Sequence, residues 1–340
     1  MELLRRLRGA NNEGVLLAVI IVVVVAMALA SPAFFTAGTF FALVRSSLVP
    51  LVFALGVLLV LISGGIDVSF PAIAIFAAYT TVAWSTEASF DPTIVGIFAI
   101  ALVIGAALGA LNGVVIARFR LPTLIVTLGT QGVFQGILLA YIGSTYIAAS
   151  RMPQSVNDAS GALLVDIPGA GFLHAMLIPV VLIVVGVWWM LRYTTFGRSI
   201  FAIGGDTEAA RRVGIKVVRT QVLLYVLVGA LAAIGGVISV ILGRNANPQT
   251  LVGTELDIIA AVVLGGASIF GGRGSVVGTV LGVLLVQLIN NNLVLLGIPS
   301  TWQRAAVGIL LIAGVSVQAI ATARARRHPK AMLEEELVKA

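Results

Sequence analysis

Residues 92–117 read PTIVGIFAIALVIGAALGALNGVVIA, a run with no charged side chain that is closed by Arg118 and Arg120. Wound as a helix it is about 39 Å long, more than the ~30 Å hydrocarbon core of a bilayer. Its side chains carry few hydrogen-bonding groups, Thr93 and Asn112 being the exceptions. A stretch this apolar is stable only in lipid or at the centre of a very large core.

The rest of the chain decides between those two. Of 340 residues, 59% are hydrophobic and 10% charged, against about 25% charged in soluble proteins. The mean hydropathy is +1.11. No single water-soluble core can hide so much apolar surface, so lipid has to solvate it. The composition excludes disorder, a nucleic-acid surface and most soluble enzymes. With no cysteine, disulfides, thiolate metal sites and thiol nucleophiles are excluded as well.

Ten apolar segments read as spans, at 15–31, 43–62, 72–88, 92–117, 123–141, 174–192, 221–242, 257–270, 275–296 and 302–322. The third and eighth are short and border glycine-rich stretches, which suggests broken or tilted helices. The first follows Arg5, Arg6 and Arg8 and ends in Ala28-Leu29-Ala30, which resembles a signal-peptidase site. An uncleaved helix suits the even count better.

The net charge of +7 reads as topology. With both termini inside, 17 of the 21 basic residues fall on the inner side, and Arg45, Arg151, Arg244 and Arg304 fall outside. Cytoplasmic loops carry such an excess. The expected fold is therefore an all-α, polytopic transmembrane bundle of about ten helices in one domain over 1–340. Cytoplasmic segments are expected at 1–14, 193–220 and 323–340. The basic tail Arg324-Ala325-Arg326-Arg327-His328 suits anionic headgroups. Residues 142–173 form a long outside connection, and 243–256 carry the polar run Arg244 to Thr250.

A faint internal echo is present. Pro92-Thr93-Ile94-Val95-Gly96 resembles Gly274-Ser275-Val276-Val277-Gly278, and Gly65-Ile66-Asp67 resembles Glu255-Leu256-Asp257. In the topology above the two halves would be inverted, as in many transporters.

The inside loop 193–220 holds five basic residues, with Arg192 just ahead of it, and an ordered local pattern. Asp206 is suited to an N-cap, and Glu208 lies in the first turn, where the helix dipole favours an anion. Arg211 and Arg212 fall in the last turn, and Gly214 suits the position after the C-cap. The residues predict a two-turn helix, punctuated at both ends and exposed. Composition alone would make it a solvated connector.

The wording of this loop carries more. Glu208-Ala209-Ala210 followed by Gly214 resembles the coupling loop of ABC-transporter permeases, and Gly204 to Ile215 is similar to its form in the ribose-type branch, which handles monosaccharides and autoinducer-2. Three further segments share the resemblance in family order: Ser63 to Ser69, Leu121 to Thr130, and Glu255 to Ser275. With the spans they cover nearly the whole chain. One departure is Phe70-Pro71, where the family usually has Val-Gly; proline still admits a helix start.

The resemblance implies a permease subunit of a bacterial importer in the inner membrane, translocating a small carbohydrate. It also implies partners: cytosolic ABC ATPase subunits, a periplasmic or lipid-anchored sugar-binding protein, a second permease subunit and membrane lipid, with no nucleic acid. Gly204, Gly205, Asp206, Glu208, Ala209, Ala210, Arg211 and Gly214 would engage the ATPase. ATP and Mg would be used by that partner, with no cofactor on this chain. The three lysines stand outside any phosphate-loop context, and two histidines without cysteines assemble no hydrolytic or zinc motif. Enzymatic chemistry is not expected.

An acid among apolar spans is a functional candidate, so Asp67 is read either as capping the next helix with Ser69 or as lining a path. Asn112, Thr127, Thr130, Gln131 and Asn291 are the other path candidates, with Gln135, Gln287, Asn290 and Asn292 also polar. Each more commonly hydrogen-bonds between helices. Phe53, Phe76, Tyr79 and Phe134 read as helix packing before sugar stacking. A secondary transporter or channel is the alternative, but it leaves the capped loop helix without a role.

Overall fold

The computed structural model describes residues 13–295 other than 89 and 170, together with 302, 305, 308 and 309. The chain first forms α1 (Glu13–Ala30), α2 (Ala37–Ile62), α3 (Phe70–Glu87) and α4 (Ile94–Phe119). Next comes α5 (Thr123–Ile137), extended by a π-turn over Leu138–Ile142. A small capping region contains β1 (Ile147–Ala148), α6 (Gln154–Gly161), β2 (Leu163–Ile167) and β3 (Gly171–His174). The second half runs through α7 (Leu177–Tyr193), α8 (Thr195–Gly205), α9 (Thr207–Arg212), α10 (Val217–Gly243), β4 (Asn245–Ala246), α11 (Glu255–Leu264) and α12 (Val276–Leu295).

Nine of the ten expected spans fall on described helices. The tenth, 302–322, lies outside the described residues except for 302, 305, 308 and 309, and so do 1–12 and the tail 323–340. By length and composition, α2, α4, α5 with its π-turn, and α10 are each sufficient to cross a membrane, and α7 passes the same test together with α8.

Helix α2 stands at the centre, because every residue from Leu51 to Ile62 is buried. A helix apolar on all sides belongs inside a bundle. Helix α4 packs on α10 through a seam of glycines that lets the two backbones meet. Gly105, Gly109 and Gly113 of α4 face Val222, Tyr225, Gly229 and Ala233 of α10. A Cβ on Gly109 would collide with the Tyr225 carbonyl oxygen, and one on Gly113 would lie 2.9 Å from the Val222 Cα. Small residues that let backbones touch are a common solution where lipid gives no hydrophobic drive to associate. The same device joins α11 to α12, with Gly265 against Gly278 and Gly282 against Ala261.

The halves run in opposite senses. Helix α2 starts beside β3, where Gly171 touches Gly38 and Phe41, and it ends beside Gly204. Helix α10 starts just after α9 and ends at β4, which pairs with β1 in the capping region. Likewise α4 ends near Thr123 and the α9 end, while α12 begins there. The order long helix, loop, shorter helix, long helix thus recurs in inverted direction, although 244–254 is more exposed than the largely buried 63–69.

Four boundaries differ from expectation, the second span beginning at Ala37 and not at 43. The eighth segment is helical only over Glu255–Leu264, about 15 Å, because Gly265 abuts Gly278 and Gly266 adopts φ 92°. The sixth begins at Leu177, since Gly171–His174 pairs with Leu163–Ile167 as a hairpin. Finally, 195–205 is a helix and not a loop. Its Gly197, Ile200 and Ile203 are buried at helical spacing, and it turns 72° from α7.

The hairpin closes on His174, which is 3% exposed. Its Nδ1 accepts from the Met176 N–H at 3.1 Å, and Nε2 faces the Ser160 carbonyl at 3.3 Å. Burial lowers the pKa below the ordinary 6.5, and the Arg45 charge adds to this against the pull of Ser160. The folded state therefore prefers the neutral ring. Stability is fully present above the unfolded pKa and is lost as pH falls below about 6.5, where the unfolded chain takes up the proton first. Thermal melts in detergent between about pH 7.5 and about pH 5.5 are expected to show this fall, and His174→Gln to reduce it.

Candidate functional site

Helix α9 is set by its two ends. Asp206 is extended (φ −159°), and its Oδ1 accepts from the N–H groups of Glu208 at 2.9 Å and Ala209 at 3.0 Å. This is the N-cap arrangement that satisfies orphan first-turn donors. At the other end Gly214 takes φ 89°. The Ile215 N–H donates to the Ala210 carbonyl at 3.1 Å, and the Gly214 N–H to Arg211 at 3.0 Å. Those two bonds make a Schellman motif. Ala210 is buried with Ile203 and Val217, so α9 is anchored along one side. Glu208, Ala209, Arg211, Arg212 and Val213 are left on the exposed side. The Glu208–Arg211 ion pair at 2.8 Å is exposed and contributes little.

Behind α9 lies an irregular segment, 63–69, exposed at Gly64 and fully buried over Asp67–Ser69. It follows α2 through a second Schellman motif, with Gly64 at φ 85° and bonds from Gly64 to Leu61 and Gly65 to Val60. Extended backbone inside a bundle has to find partners, and here α5 and α4 supply them. The Ile66 N–H donates to Thr123 Oγ1 at 2.9 Å and the Val68 N–H to Thr127 Oγ1 at 3.3 Å. Asp67 Oδ1 accepts from both the Ser69 N–H and the Ser69 hydroxyl, each at 2.7 Å. Asn112 Nδ2 then donates to Ser69 Oγ at 2.8 Å. Helix α3 starts immediately afterwards, with Pro71 in its first turn.

The family described as "Branched-chain amino acid transport system / permease component" matches residues 39–315. The chain belongs to this permease family. It is 33% identical over 307 residues to the ribose import permease protein RbsC of Escherichia coli (strain K12), which covers 89% of this chain and 92% of that protein. It is 31% identical over 302 residues to the autoinducer 2 import system permease protein LsrC of Yersinia pestis (strain Pestoides F), covering 89% and 83%. No solved structure matches the chain significantly.

In this permease the seven path candidates separate. Asp67, Ser69, Asn112 and Thr127 gather in one cluster, each at most 1% exposed. Thr130 bonds back to the Thr127 carbonyl at 3.3 Å. Gln131 is partly buried and donates to Glu255 Oε1 at the start of α11, at 2.7 Å. Asn291 is elsewhere, donating from α12 to Ser46 of α2 at 2.7 Å. The four aromatics pack: Phe53 on Phe70, Phe76 on Phe134, and Tyr79 through its hydroxyl to the Thr145 carbonyl.

Two residues of the site were not among the path candidates read from the sequence. Tyr225 of α10 is buried, and its hydroxyl has no hydrogen-bond partner among the described residues. A phenol inside an apolar span has to be accommodated somewhere, which was the available signal. Glu255 carried a similar one, as a carboxylate directly before an apolar helix.

Proposed function

We propose that this permease is the membrane subunit of a bacterial ABC importer for a small carbohydrate or sugar-like molecule. In this reading α9 docks on a cytosolic ATPase subunit, which uses ATP and Mg. A periplasmic or lipid-anchored binding protein delivers substrate to the opposite end, around 142–173 and 243–256. A second permease subunit, identical or related, completes the path. Both termini lie on the cytoplasmic side of the inner membrane, and all of 1–340 acts as one transport domain without catalysis of its own. The observation that carries the reading is α9, a helix capped at both ends with its polar face exposed, in a chain of the permease family. Sugar is favoured because the relatives matched over most of the chain are named for ribose and autoinducer 2.

The test is uptake into liposomes holding the permease, its ATPase and the binding protein, with ribose, autoinducer-2 and leucine as alternatives. Uptake of a sugar-like substrate that needs ATP is expected. Uptake without the ATPase would reject the reading, and leucine alone would reject the substrate class.

Within this reading Asp67, Ser69, Asn112 and Thr127 hold the 63–69 segment in position, while Gln131 and Glu255 are better placed to meet hydroxyls. Asp67→Asn keeps an acceptor for Ser69 and is expected to leave uptake within about threefold. Asp67→Ala strands two buried donors, at about 1–3 kcal/mol for a group left unpaired, and should lower both the melting temperature and uptake. A large loss in Asp67→Asn with an unchanged melt would mean that the carboxylate charge itself meets substrate.

A further inference from the structure

We infer that the backbone of Gly204 is the joint through which displacement of α9 reaches the segment 63–69, which makes Gly204 a positioning residue. The inference rests on α9 being the docking helix. Five glycines form the joint. A Cβ on Gly204 would overlap the Ile62 carbonyl oxygen and lie 2.8 Å from the Gly272 nitrogen. The Gly64 site would bring a Cβ to 3.6 Å from the Gly204 Cα, Gly271 to 2.9 Å from the Gly64 Cα, and Gly272 to 3.2 Å from the Gly205 Cα. The Gly272 N–H donates to the Ile62 carbonyl at 2.9 Å, so an orphan carbonyl at the end of α2 is satisfied by the loop that follows α11.

No side chain separates these backbones. A side-chain contact can absorb a small shift by changing rotamer, whereas backbones in direct contact have no rotamer to change. On one side Gly204 is two residues from Asp206, the N-cap of α9. On the other, Ile62 and Gly64 lead directly to Ile66, Asp67 and Val68, whose hydrogen bonds reach α5 and α4. Displacement of α9 is therefore carried to the 63–69 segment and to the 265–274 loop together.

The cysteine-free chain allows spin-label pairs to be placed in the assembled complex with its ATPase. One pair is Ser63→Cys with Arg212→Cys, which spans the joint. The other is Leu164→Cys with Arg212→Cys, which runs from the hairpin end to α9. Between nucleotide-free and ATP·Mg states, the 164/212 distance is expected to change by about 2 Å or more, while the 63/212 distance stays within about 1 Å. Adding Gly204→Ala should make the 63/212 distance nucleotide-dependent, whereas Gly186→Ala, which adds its methyl to open space, should not. If Gly204→Ala fails to assemble, the two unmodified pairs decide alone. A 63/212 distance that shifts as much as 164/212 overturns the joint but leaves the docking reading standing. If neither distance responds to ATP·Mg, the docking reading falls and the joint with it.

Discussion

Gly109→Leu is expected to yield no folded permease. The Cβ alone would collide with the Tyr225 carbonyl and sit 3.0 Å from the Gly229 Cα, so both obstacles are backbone and no rotamer relieves them. Ordinary overpacking costs about 1–3 kcal/mol. Forcing two main chains apart also opens the contacts at Gly105 and Gly113, so a loss above about 4 kcal/mol is expected, the range of exceptional substitutions. The measurement is the fraction of membrane-inserted protein that elutes as a single species in mild detergent, with its melting temperature. Gly132→Leu on α5 is the matched comparison: nothing lies within 4 Å of its Cβ position, so the change in stability should stay within about 0.5 kcal/mol. Equal behaviour of the two variants would show that the α4–α10 seam does not hold the fold.

Gly214→Pro should abolish ATP-driven uptake without harming insertion. Proline fixes φ near −65°, while Gly214 sits at 89° and donates its N–H to Arg211. Both features of the Schellman end are lost, and the last turn of a six-residue helix cannot survive that. Glu208→Lys attacks the same helix from its other end, by placing a cation at the positive pole of the dipole. Uptake in vesicles containing the ATPase is expected to fall by about a hundredfold for the proline variant, equivalent to roughly 3 kcal/mol of docking free energy. Membrane yield and melting temperature should be near those of the unmodified chain. Undiminished uptake would remove α9 from the coupling pathway.

What could be read in advance follows from the range of the interactions. The spans were legible because a run such as 92–117 answers to one local rule, hydropathy over a bilayer's thickness. The caps of α9 were legible because Asp206 and Gly214 act within three or four residues of themselves. Helix α8 was missed although Phe196, Ile200 and Ile203 repeat at helical spacing, since eleven residues between spans resemble a connector. The β2–β3 hairpin was hidden by its brevity. At the site, Asp67, Ser69, Asn112 and Thr127 could be named as polar residues in apolar surroundings. Their assembly depends on contacts across 43 and 59 residues of chain, which no local pattern encodes. Asn291, chosen on the same grounds, instead bridges α12 to α2.

The seam between α4 and α10 has a mechanical meaning as well. A contact made by rotameric side chains is soft, because it can exchange conformational entropy for displacement. Where main chain rests on main chain along three successive glycines there is no such reserve, and the two helices behave as one stiff plank. Compliance has to lie outside that plank, among helices that meet through side chains. Any transport cycle in this bundle is thus divided in advance into a part that travels whole and a part that deforms.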